Sequence, residues 1–173
     1  MPWPVTAALV NELRAQGQLA AAGATLVAFV LVLRPAETLK LAGGSLEAPK
    51  RGVAQNRHKW SVVLHSQVAR ETSEVRAQDE CVVFDSPEFG LEVPLLDSLR
   101  ESEAAGRPLF PLGASQRQEA LKAAAGQVLP SLAPPTLHQP GHGRACHEAL
   151  TLLRSTEGLL LRGRWQSLRS VER

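Results

Sequence analysis

The chain has 173 residues, 44% apolar and 21% charged, which is enough for one domain that buries about two thirds of its unfolded surface and too apolar for wholesale disorder. Its net charge of +2 does not establish a nucleic-acid partner, because counterion release needs clustered cations and not a mild global excess. The only cysteines, Cys81 and Cys146, stand 65 positions apart, which excludes a CxxC metal site, gives no support to a disulfide framework and fits a reducing, intracellular compartment.

In chain order, residues 6–17 (TAALVNELRAQG) space Ala8, Leu9 and Leu13 on one face, and Gly17 marks a stop, which predicts a short amphipathic helix. Residues 19–33 (LAAAGATLVAFVLVL) are 15 in a row without charge, shorter than the roughly 20 needed to span a bilayer, so a buried core helix is expected and no membrane partner. No basic leader with a small-residue cleavage site precedes this run, so no secretory signal is expected. After Pro35, ETLKLAGG predicts a third helix ended by Gly43 and Gly44, and the polar, basic residues 50–59 predict a loop. WSVVLHS (60–66) and ECVVFDS (80–86) are β-branched-rich strand candidates, and the 13 residues between them predict a ragged hairpin with a mobile tip. Residues 91–106 and 114–129 carry helical spacing, whereas four prolines and a glycine in 130–141 (PSLAPPTLHQPG) are expected to break regular structure. A final helix is expected from about Gly143 through ACHEALTLLR, followed by TEGLLLRGRW. No internal repeat is evident. The expected fold is α+β and mainly α: one helical domain over residues 1–173 with a small two- to three-stranded antiparallel sheet at one edge.

The order of particular stretches matters more than any one of them. LRPAE (33–37) closes a helix, a strand pair with a polar tip follows, a proline-rich approach leads to HQPGHGRACHEAL (138–150), and the chain finishes in RGRWQSLRSVER (162–173). This order resembles the catalytic domain of tyrosine recombinases, the phage-integrase-like DNA strand-exchange enzymes, and in particular their eukaryotic mobile-element relatives. The resemblance runs from about residue 5 to 173 and is strongest in the C-terminal third. With 33 residues before Arg34, the family's separate DNA-clamping domain is expected to be absent.

The resemblance implies a chemistry. A tyrosine attacks a DNA phosphodiester, two arginines meet the charge that grows on the non-bridging oxygens, a lysine protonates the leaving 5′-oxygen, and His and Trp position the phosphate. No metal or diffusible cofactor is required.

Carried across position by position, Arg34 matches the first arginine and Glu37 the acid that orients it, while His138 matches the motif histidine. His142 matches a histidine that commonly follows the motif's arginine, and Trp165 the His/Trp position. The family's lysine falls near Glu74, where charge is reversed; Arg76 is a cation but a poor acid. The second arginine falls at Gly141, and Arg144, three residues on, is a candidate to fill that gap from the same helical face. Counting nine residues past Trp165 places the nucleophile at 174, one beyond Arg173, and no tyrosine occurs among these residues.

The implied protein is a degenerate recombinase-like domain related to DNA integration, catalytically inactive, with residual binding to double-stranded DNA through Arg34, His138, Arg144, Arg162, Arg164 and Trp165. It is expected to be a monomer in solution, and nuclear if eukaryotic. The competing expectation is a small helical interaction module without nucleic-acid function, in which Arg162, Arg164, Arg169 and Arg173 only solvate the tail. Convergence of Arg34, His138 and Trp165 on one concave site separates the two.

Overall fold

The structure is a computed structural model and describes residues 1–49, 60–64, 81–84, 107–151 and 154–165. Two compact units emerge: Met1–Leu39 with Phe110–Arg173, and Lys40–Leu109. The described residues are mainly helical with one small antiparallel sheet, an α+β, mainly α fold.

The first unit is built from α1 (Trp3–Ala15), α2 (Leu19–Val30), α3 (Pro35–Lys40, of which Lys40 falls in the second unit), α4 (Ala114–Val128), α5 (Gln139–Thr151) and α6 (Thr156–Gly163). Helix α1 begins earlier than its apolar spacing suggests. Pro2 is its N-cap and Pro4 sits in its first turn, where a missing N–H costs no helical bond, and Trp3 packs against Phe29 at 5.4 Å between ring centroids. It stops as expected at Gly17, whose φ of 73° lets Gly17 N–H reach the Arg14 carbonyl and Gln18 N–H the Leu13 carbonyl.

Helix α2 is buried from Ala21 to Val30 on nearly every side, which is why its sequence shows no polar face. Leu9, Val10 and Leu13 of α1, Ala21 and Ala22 of α2, and Leu121, Ala124 and Ala125 of α4 form one apolar core closed by Leu137. Among the described residues, no helix is long and apolar enough to cross a membrane.

Two boundaries differ from expectation. The last long helix starts at Gln139 and not near Gly143, because Pro140 occupies a first-turn position that needs no donor; residues 139–141 are therefore helical despite their composition. Helix α3 ends at Lys40 and not at Gly43. Leu41 turns inward and its carbonyl accepts the Leu109 N–H, and Ala42 bridges Pro108, so the backbone there is committed to strand-like pairing.

The second unit carries the sheet. Strands β1 (Leu46–Glu47), β2 (Ser61–Val63) and β3 (Cys81–Val83) pair antiparallel in the order β1-β2-β3, with Leu46 opposite Val62 and Val62 opposite Val82. Leu46, Val62 and Val82 are all buried. Strand β1 extends the expected hairpin to three strands. The expected loop 50–59, the hairpin tip with Glu74 and Arg76, the helix 91–106, and Arg169 and Arg173 lie outside the described residues.

Candidate functional site

Two helix ends build the site. At the end of α2, Val32 adopts φ 54°, its N–H donates to the Phe29 carbonyl (3.3 Å) and the Leu33 N–H to the Ala28 carbonyl (3.0 Å). At the end of α6, Arg164 adopts φ 52°, its N–H donates to Leu161 (3.1 Å) and the Trp165 N–H to Leu160 (3.0 Å). Both are Schellman ends of the kind glycine normally makes, yet here a β-branched residue and an arginine hold the left-handed position, at about 1–2 kcal/mol each. The turns send the chain sharply aside, so Leu33–Arg34 and Trp165 become walls of one hollow.

Side chains from α6 lock these ends together. A helix leaves its last carbonyls without partners and its C-terminus partially negative. Arg162 Nη2 donates to the Val30 carbonyl (3.3 Å) and Arg164 Nη2 to the Val32 carbonyl (3.4 Å). Arg164 also grips Glu37, with Nη2 2.5 Å from Oε2 and Nε 3.2 Å from Oε1. In return the Arg164 carbonyl accepts a 2.6 Å bond from Arg34 Nη2.

Glu37 therefore orients Arg34 differently from what the resemblance implies. Its Oε2 accepts the Arg34 backbone N–H at 2.7 Å, half of a capping arrangement at the start of α3, and its charge is engaged by Arg164 instead of the Arg34 guanidinium. LRPAE is thus a helix-start motif as well as a wall of the site.

The third wall is the start of α5. Gly141 lies so close to the chain leaving α2 that a Cβ there would stand 3.0 Å from the Leu33 carbonyl oxygen, which suits a glycine at this position. His138 directly precedes this helix at the exposed rim, its carbonyl accepting the His142 N–H, and His142, one turn on, stacks on Trp165 with 5.3 Å between centroids and 21° between planes. Gly163 permits the stack, since a Cβ there would fall 2.6 Å from the indole.

Val32, Leu33, Arg34, His138, Gly141, His142 and Trp165 together enclose a cavity of about 120 Å³. The three groups that the sequence pattern singled out, Arg34, His138 and Trp165, share it, and among the described residues no carboxylate lines it. Burial pushes the His142 imidazolium below its usual range, and the charges of His138 and the Met1 ammonium push the same way. The ammonium donates to the Gln139 carbonyl at 3.4 Å, and burial lowers its own proton affinity, partly opposed by Cys146. Among the described residues, no three His, Cys, Asp or Glu side chains cluster as a metal site.

Comparison with family models, curated proteins and solved structures matches this chain to none of them.

The other arginines expected to contact DNA, Arg144, Arg162 and Arg164, are paired with carboxylates of the chain. Arg144 does not swing into the space beside Gly141. It is fully buried, its Nε 2.9 Å from Glu148 Oε1 one turn along α5. Arg162 Nε lies 2.8 Å from Glu148 Oε1 and Arg154 Nε 3.1 Å from Oε2, so one buried carboxylate gathers three arginines through charge contact. Arg162 and Arg164 are consequently helix-end clamps with largely buried side chains, and not solvated tail cations. Sequence reasoning missed Glu148 and the left-handed Val32 and Arg164. The spacing of Arg144 and Glu148, four apart on one helix, was the signal available for the first; without a glycine at C′, the two turns had none.

Proposed function

We propose that the hollow binds a backbone phosphate of double-stranded DNA, and that the chain is a tyrosine-recombinase-like domain, related to DNA integration and site-specific recombination, that holds DNA without cleaving it. The observation that carries this reading is the convergence of Arg34, His138 and Trp165, 131 residues apart end to end in sequence, on one cavity of about 120 Å³. A guanidinium, an imidazole and an indole N–H are all donors, and among the described residues no carboxylate lines the hollow against an anion. These residues include no phenol to act as nucleophile, and Gly141 supplies no second guanidinium, so the phosphate would be held and not transferred.

The footprint is narrow. Because Arg144, Arg162 and Arg164 are engaged by Glu148 and Glu37, the hollow contributes on the order of one phosphate contact, worth a salt slope near −1 in log K against log salt. The test is fluorescence anisotropy on a 20-base-pair duplex from low to moderate salt, for the natural chain and Arg34→Gln. Binding that weakens about tenfold in the variant, with the slope reduced by about one, supports the reading. Absence of binding at low salt, or an Arg34→Gln variant indistinguishable from the natural chain, overturns it. The ion pairs that withdraw Arg144, Arg162 and Arg164 from an external phosphate leave an interaction module without nucleic-acid function as the second reading, although Arg162 and Arg164 are not the solvated cations it expects; it prevails if the folded chain ignores duplex DNA at low salt.

A further inference from the structure

The cavity brings Arg34 and two imidazoles together with no lining carboxylate among the described residues, and His142 is placed differently from the others. Arg34 comes from the link before α3 and is tied to the Arg164 carbonyl; His138 is at the exposed rim. His142 is half-buried deeper in α5, flat against Trp165 from the end of α6. The groups that face it are His138 one turn earlier on the chain, the Met1 ammonium ahead of α1, and Arg34 across the cavity, with Cys146 one turn further along α5. Glu37, three residues beyond Arg34, is engaged by Arg164.

We propose that His142 receives the anion as an imidazolium, so that an oxyanion and a proton enter the hollow together. This rests on the phosphate-binding reading above in taking the hollow as an anion site. While the hollow is empty, a proton on His142 adds a positive charge beside Arg34, His138 and the ammonium in a half-buried position against apolar Val32 and Leu33, and the neutral ring is preferred. An oxyanion beside Arg34 reverses that balance: it accepts a hydrogen bond from the imidazolium N–H, and the indole face stabilises the cation stacked on it. Linkage makes the effect reciprocal, so protonation strengthens anion binding by the same factor that the anion strengthens protonation. The hollow is then an anion site that tightens as pH falls toward and below the ordinary histidine range.

The experiment is an NMR titration of the full chain with labelled histidine, from pH 5 to 8.5. It is run in sodium sulfate and in sodium chloride of equal ionic strength, since sulfate keeps its charge throughout. Sulfate is expected to raise the His142 midpoint relative to chloride, and to bind about fivefold or more tightly at pH 5.5 than at pH 8. In His142→Gln, sulfate binding through Arg34 and His138 should remain but lose most of its pH dependence.

Sulfate that binds without moving the His142 midpoint overturns the proposal, as does a His142→Gln variant with the full pH dependence, which would assign the proton to His138. No sulfate binding at any pH overturns it as well. Sulfate linkage without duplex binding defeats the DNA reading alone; duplex binding with a flat His142 response defeats this proposal alone.

Discussion

Arg117 offers the sharpest energetic prediction. Its guanidinium, one turn into α4, is fully buried; Nη2 donates to the Ala24 carbonyl of α2 at 3.2 Å, while Nε and Nη1 have no partner among the described residues. Burial alone lowers its pKa well below the ordinary guanidinium range, to about 10. At about 1.4 kcal/mol per tenfold change in proton affinity, that displacement corresponds to ~3 kcal/mol held against the charged form at neutral pH. The penalty is present in full below pH 10 and relieved only as the group deprotonates above it. Arg117→Met keeps an unbranched chain of similar reach and removes both orphaned donors, giving up one bond to a carbonyl worth about 1.5–3 kcal/mol. The expected result is a variant as stable as the natural chain or more stable by up to about 1.5 kcal/mol, a rise of ~3–6 °C in midpoint for a chain of this size. Arg117→Ala, which leaves a void, should instead lose about 2 kcal/mol or more. Urea and thermal melts of both variants at pH 7 decide the matter. A loss above 1 kcal/mol in Arg117→Met would refute the reasoning, because it would mean the guanidinium is compensated in a way the orphaned donors deny.

Three further outcomes follow from the site. Gly141→Arg, which adds a second guanidinium beside the hollow on paper, should destabilise the chain by about 1–3 kcal/mol and not improve DNA binding, because any Cβ crowds the Leu33 carbonyl; a stable variant with stronger duplex affinity would show that the α5 wall can move. Glu148→Gln removes the carboxylate shared by Arg144, Arg154 and Arg162 and should cost about 3–5 kcal/mol in urea melts, with a cost below 1 kcal/mol contradicting the account. For the pH dependence, the folded chain holds the His142 proton less tightly than the unfolded chain, whose value is near 6.5. The unfolded state therefore binds more protons just below that pH, and stability should rise with pH up to about 6.5 and level off above it. Urea midpoints at pH 5.5, 6.5 and 7.5 should show a shallower slope in His142→Gln, and an unchanged slope would count against the burial of this ring.

What could be read from the residues divides along physical lines. The uninterrupted apolar run of α2 and the glycine after α1 report burial and a left-handed turn directly, and both features are present where expected. Strand β1 is two residues long, too short for any alternation to show. The start of α5 was hidden because Pro140 and Gly141 argue against a helix locally, while the first-turn position and the close approach of Leu33 make each of them suitable. The site itself was half legible. Residue order marked Arg34, His138 and Trp165, which share a cavity, but it could not show that Arg144 faces a buried carboxylate or that Glu37 serves Arg164. Those outcomes depend on α6 packing against α5 and on its end meeting the end of α2, and local spacing carries no record of that.

The most direct measurement is an NMR titration of the natural chain with duplex DNA at low salt, following the indole N–H of Trp165 and the rings of His138 and His142. The account predicts that these three signals move together and saturate at one common concentration, and that Arg34→Gln weakens all three alike. Signals that stay fixed while the duplex binds elsewhere, or that move independently of one another, would contradict a shared phosphate site.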